Sequence, residues 1–274
     1  MDQNWIVENL NNAFSTWNDK LSELWSLVTT SPATFKGGAV WGVMQTIHGT
    51  MLAIGYALVI LFFAMSLFKN TANFHELKRP EAALHYLIRF VAAKTAVGYG
   101  MEIMLKVFEV CNGIVSEMAS SMGGISQAMV SLPGEVQTAI ENVGFLASIP
   151  LWLVTILGSL FITVLSFIMI LTVYGRFFRL YMYTALAPIP LATFAGDSTQ
   201  SVGVAFLKTY VGVCMEGAVI VLACIIYAGF VGTPAVASGE ATTMVWSYLA
   251  ETVFNMLVLV GLIKGSDRII HEMM

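Results

Sequence analysis

The sequence predicts an all-α polytopic membrane bundle of about five transmembrane helices, with a proline-broken re-entrant segment and an amphipathic N-terminal helix. Three observations predict it. The 274 residues are 57% hydrophobic and 11% charged, with a mean hydropathy of +0.78, outside the range of soluble globular domains. No charged residue falls between Val143 and Gly175, and about 20 helical residues suffice to span the roughly 30 Å of bilayer hydrocarbon. The third observation is the run Leu180 to Ala195, short for a span, in which Pro188 and Pro190 each remove a backbone donor near the middle. Broken backbone at membrane depth persists only where protein or a water-filled cavity satisfies it, so this segment should be buried in a bundle, shielded by identical neighbours, or face a pathway.

At the N-terminus, Trp5, Ile6, Leu10, Phe14, Trp17, Leu21, Leu24, Trp25 and Val28 recur at intervals of three and four with polar residues opposite, an amphipathic helix. Trp5, Trp17 and Trp25 suit a helix lying in the membrane interface or docked on a neighbouring subunit. Packing on its own bundle is the other reading. The first 40 residues hold Asp2, Glu8, Asp19 and Glu23 against Lys20 and Lys36 and lack the basic start and apolar core of a cleaved signal peptide, so the N-terminus is expected to be retained. Pro32, Gly37 and Gly38 then break the chain. Residues 1–38 are thereby set apart, as an extracytoplasmic helix, from a transmembrane bundle over 39–274.

Trp41 to Phe68 reads as the first span, ended by Lys69 and a polar connector with His75, Glu76, Lys78, Arg79 and Pro80. His48 stands alone within it and is expected to pack or hydrogen-bond rather than bind a metal. Ala82 to Val107 is interrupted by Arg89, Lys94, Glu102 and Lys106, with Glu102 and Lys106 spaced to neutralise each other; it either crosses or lies at the interface. A polar segment over Cys111 to Asn142 leads to the central span, Leu151 to Tyr174, where Thr155, Ser159, Thr163 and Ser166 form a ridge of small residues that lets another helix approach. Val202 to Phe230, a short loop with Pro234, Gly239 and Glu240, and Met244 to Ile263 complete the spans. The three cysteines and sixteen methionines read as core packing.

Lys and Arg are absent from Val107 to Gly175 and from Thr209 to Ile263, so the loops in those stretches should face outward. The basic connectors at Lys69 to Arg79, Arg176 to Arg179 and Lys264 to Arg268 should be cytoplasmic, which places the N-terminus out and the C-terminus in. Counted from the inner ends of their spans, Lys94, Glu216 and Glu251 lie roughly 18 to 21 Å deep. A pairing of Lys94 with Glu216 or Glu251 is expected, as a structural pin or as part of a polar pathway.

A turn Tyr-Gly-Arg-Phe-Phe-Arg-Leu-Tyr (Tyr174 to Tyr181) leads into Ala-Leu-Ala-Pro-Ile-Pro-Leu-Ala (Ala185 to Ala192). With the amphipathic start and the N-out, C-in bundle, this resembles the TrbL-like polytopic inner-membrane subunits of conjugative type IV secretion systems, in particular the short type found in Firmicutes integrative elements. The resemblance is most specific around Arg176 to Ala192, and the long hydrophilic extensions of larger members are missing. It implies a channel or scaffold subunit of the cell membrane, forming a homo-oligomer, a pentamer, beside the conjugative ATPase and other secretion subunits. Relaxase-linked DNA would touch it transiently. Net charge −4 and the lack of a basic cluster fit an assembly part better than a reader of phosphate backbone. No cofactor is expected, although a bound phospholipid is compatible with the reading. No metal-ligand spacing, nucleophile elbow or phosphate loop is present, so no enzyme is expected. A small-solute secondary transporter is the rival, since broken helices and intramembrane charges also belong to transporters. A non-conducting scaffold is a third reading.

Overall fold

The protein is described here by a computed structural model covering residues 3–71, 80–121, 129–230 and 240–273. The basic part of the connector, His75 to Arg79, and the loop residues Pro234 and Gly239 lie outside the described residues. The described chain is helical throughout, with no strand: α1 (Gln3–Thr29), a 3-10 turn (Phe35–Gly38), α2 (Ala39–Thr71), α3 (Pro80–Gly98), α4 (Gly100–Ser121), α5 (Gly134–Glu141), α6 (Phe145–Leu186), α7 (Pro188–Ala192), a second 3-10 turn (Thr193–Ala195), α8 (Gln200–Phe230) and α9 (Ala241–Met273). Among the described residues four stretches are long and apolar enough to cross a membrane, Phe35–Lys69, Ile149–Leu186, Gln200–Gly229 and Ala241–Met273. The segment expected over Ala82 to Val107 is outside that set, its apolar run diluted by Arg89, Lys94, Glu102 and Lys106. It forms two helices joined at Tyr99, where the bonds Tyr99 N–H to Thr95 O and Ile103 N–H to Tyr99 O, both 2.9 Å, carry the helix through the joint.

The chain divides into two compact units. Unit 1 comprises Met1–Thr29, Val115–Gly175 and Gly217–Ile269, and unit 2 comprises Thr30–Ile114, Arg176–Glu216 and Ile270–Met274. Helix α1 belongs to unit 1.

In unit 1 the stripe of α1 is core. Leu10, Trp17, Leu21, Leu24 and Val28 are fully buried. Asn9 donates to Ser159 Oγ at 3.0 Å, Tyr174 donates to Glu23 at 2.6 Å, and Asn18 exchanges two bonds with the Val130 backbone. Phe14 meets Tyr248 edge to face. Of the two readings of α1, packing on its own chain is the one the geometry takes, because seven of the nine apolar side chains on the stripe are buried in a matching interior. The ridge of small residues serves as expected: Thr155 and Ser166 are buried, and a methyl group at Gly158 would come within 3.0 Å of Leu249.

Unit 2 begins with a left-handed turn, Lys36, Gly37 and Gly38 all having positive φ. A side chain at Gly38 would lie 2.9 Å from the Ala33 carbonyl, so glycine is required there. From that turn α2 runs alongside the end of α6 in register. Phe35 stacks on Phe177 at 4.0 Å, Trp41 lies 6.2 Å from Tyr181, Gly55 faces Pro188, and Ser66 donates to Asp197. The chain reverses over 196–199, and α8 returns antiparallel, with Tyr183 beside Phe206 and Tyr210.

Candidate functional site

The feature the sequence singled out, the proline break, lies in the core of unit 2. In a helix the carbonyl of residue 184 takes the amide of residue 188. Residue 188 is proline and has none. His48 Nδ1 lies 2.9 Å from Thr184 O, and since a carbonyl only accepts, Nδ1 carries the hydrogen and that bond fixes the tautomer. The imidazole thus supplies the donor that Pro188 lacks. Replacing His48 by phenylalanine should cost about 1–3 kcal/mol by orphaning this carbonyl. In a Pro188→Ala background, where an amide is restored, the same substitution should cost clearly less. A double-mutant cycle on thermal unfolding checks this, and additive losses would remove the coupling.

Glycines let the neighbours close on the break. A Cβ at Gly55 would come within 2.9 Å of Pro188 Cβ and 3.0 Å of its carbonyl oxygen; one at Gly100 would lie 3.1 Å from Leu191, and one at Gly203 2.8 Å from Thr193 Oγ1. Pro188, Leu191 and Ala192 are buried, while Pro190 is half-buried. The far end of the segment is held by Arg89 of α3. Its Nε donates to Phe194 O at 2.9 Å and one Nη to Gln200 Oε1 at 2.5 Å, and its guanidinium pairs with Asp197. Thr199 donates to Thr193 O at 2.8 Å. Within the chain, α2 and α3 pack against the broken segment α7.

Arg176 and Arg179 were expected at the cytoplasmic start of the broken element, beside the connector at Lys69. The structure has continuous helix in place of a connector there. Helix α6 continues unbroken through both arginines to Leu186, and they lie level with the beginning of α2, whereas the turn at Asp197 lies level with its end. Arginine has high helix propensity and nothing at 176–179 interrupts the hydrogen bonding, so the chain breaks where the first proline comes. Arg176 is 1% exposed. It donates to Val213 O at 3.3 Å and Cys214 O at 3.1 Å, with its guanidinium carbon 5.7 Å from the Phe108 ring centroid. Arg179 donates to Glu216 Oε2 at 2.7 Å, and Glu216 is buried. Two oppositely charged groups therefore tie the end of α6 to α8.

The other expected partners differ. Glu216 takes Arg179 in place of Lys94, Lys106 pairs with Glu109 at 2.6 Å in place of Glu102, and Lys94 and Glu251 are exposed. Trp17 is core, Trp25 is half-buried, and Trp5 is exposed with its ring 6.1 Å from Trp152. Sequence reasoning did not foresee the partners of His48 and Arg89, and it passed over Asp197. A usable signal existed for the first: a proline at 188 orphans a specific carbonyl, and His48 lies inside the uncharged apolar run Trp41 to Phe68. Among the described residues no three His, Cys, Asp or Glu side chains group as metal ligands.

The model of a protein family described as "TrbL/VirB6 plasmid conjugal transfer like protein" matches residues 17–188. The chain belongs to the TrbL/VirB6 family. Among curated proteins and among solved structures nothing matches. The matched stretch takes in His48, Arg89, Arg176 and Arg179 and stops at Pro188, so the TrbL/VirB6 match includes the first half of the break and the side chains that hold it. Together with its apolar helices, membership makes this a membrane protein of conjugal transfer and type IV secretion.

Proposed function

We propose that this chain is one copy of a homo-oligomeric ring, a pentamer, in the inner (cytoplasmic) membrane, serving as channel or scaffold for DNA and protein leaving the donor cell. The observation that carries the reading against a solute transporter is the packing of the proline break. A carrier keeps room and open hydrogen-bonding groups at such a break for its substrate. Here His48 and Arg89 occupy those groups, and Gly55 is closed on Pro188 with no space for a methyl. The break acts as a fixed joint in an assembly part, which does no chemistry of its own.

Its partners are further copies of itself, membrane lipid, the conjugative ATPase and the other membrane subunits of the machine, with relaxase-linked DNA passing transiently. The orientation is N-terminus out and C-terminus in. In support of it, the end of α2, Arg89 of α3 and the α6–α8 turn meet at Asp197, which gathers Lys69, Arg89 and the turn on the side that the charge rule makes cytoplasmic. The test is the mass and symmetry of the detergent-extracted complex, with a reporter on the C-terminus. A fivefold particle of 29.8 kDa chains with a cytoplasmic reporter is expected, and a single-chain particle sinks the reading.

A further inference from the structure

Three contacts within unit 2 set α3 and α4 against α2 as a depth scale. Phe90 lies 4.7 Å from Phe63, Val97 Cγ1 would be 3.0 Å from a Cβ on Gly55, and Gly100 faces both His48 and Leu191. Gly55 is near the middle of the apolar run Trp41 to Phe68, so Val97 and Gly98 sit near mid-depth. Lys94 and Glu102 then lie about 6 Å to either side of that level. At 100° per residue, Lys94, Gly98 and Glu102 step round α3 and α4 by about 40° at a time, one continuous face. Lys94, Gly98 and Glu102 are all exposed. A cleft of about 570 Å³ opens beside Glu102 and Lys106, lined also by Tyr99, Ile103, Cys111 and Val211.

A carboxylate held exposed near the middle of a bilayer cannot face lipid without a cost of a few kcal/mol or more, and glutamate is too short to reach the headgroups from there. Cover by a second chain would strip water from Lys94, Glu102 and the Lys106–Glu109 pair together, at several kcal/mol for each ion. That pair is already satisfied on its own helix and stays largely exposed, at 75% and 58% of its side-chain surface, so it calls for no foreign partner. We infer that the Lys94–Gly98–Glu102 face of α3 and α4 lines water in the assembled protein and forms the wet wall of the translocation path. The inference rests on the ring reading above. With one positive and one negative group near mid-depth, the wall carries no net sign there, so it neither traps nor repels a phosphate backbone or a charged peptide.

The test uses the full chain in liposomes and a negatively charged, membrane-impermeant methanethiosulfonate reagent. Lys94→Cys and Glu102→Cys are compared with Ile60→Cys, which replaces an exposed apolar residue of α2 at similar depth. All variants are made in a Cys111→Ser background, which is also the blank, because Cys111 lines this cleft whereas Cys214 and Cys224 are buried. A thiol in apolar surroundings is held protonated and unreactive, so labelling at 94 and 102 should exceed that at 60 by more than about tenfold. Two positions are used so that failure of one variant to assemble leaves the other to decide. Labelling as slow as at Ile60→Cys overturns the wet wall, as do disulfide-linked dimers through Glu102→Cys, which would mean that a second copy covers the face. An intact ring with slow labelling leaves the ring reading standing and removes only this inference, whereas a single-chain particle removes both.

Discussion

Replacing Arg179 by methionine is expected to destabilise the folded chain by about 3–5 kcal/mol, the usual cost of breaking a buried ion pair from one side. The reason lies in its partner. Glu216 is 1% exposed, so its carboxylate cannot recover hydration when the guanidinium 2.7 Å away is gone. The double substitution Arg179→Met with Glu216→Leu should recover part of the loss, since no buried carboxylate is then left without its guanidinium, while Arg176 stays buried on the Val213 and Cys214 carbonyls. Thermal unfolding of the purified protein in detergent, followed by helical content, measures both variants. Equal losses in the single and double variants would take the pair out of the account. Lys94→Met is the contrast. Because Lys94 is exposed, its removal should change stability by no more than about 0.5 kcal/mol, although burial was expected for it from depth along the helix.

Gly55→Val should cost about 3 kcal/mol, the upper end of what overpacking a core does. The clash is with Pro188 Cβ at 2.9 Å and its carbonyl oxygen at 3.0 Å, and with Val97 Cγ1 at 3.0 Å on the other side. A ring and a backbone atom cannot turn aside as a flexible side-chain end can, so either α2 moves off or the joint opens. Gly49→Val tests the alternative that valine merely suits the α2 helix poorly, because nothing lies within 4 Å of a Cβ at that position. It should leave stability close to that of the parent. If both glycine variants lose the same amount, the fit of α2 to the proline joint is not what holds unit 2 together.

Some of this could be read from one-dimensional pattern, and some could not. The stripe from Trp5 to Val28 gave the length and buried face of α1, because a period near 3.6 is a property of the helix alone. Pro188 marked where α6 ends, because a missing amide is local covalent chemistry. Arg176 and Arg179 were misplaced for the opposite reason. Two arginines after an uncharged run look like the edge of a membrane, yet Arg176 finds carbonyl acceptors on α8 and Arg179 finds Glu216. Those acceptors lie about 37 residues along the chain, and no local period encodes them.

The amino-acid order by itself determined that this is a helical membrane protein, where its apolar helices run, and that one of them must break at Pro188; these follow from transfer of apolar side chains out of water and from the geometry of proline. Tertiary structure alone decided which groups satisfy the break and which charge faces which. His48 beneath Thr184, Arg89 on Asp197 and Arg179 on Glu216 are matches between distant helices. Such pairings depend on how helices are rotated and set in register against one another, and packing of whole helix faces fixes both.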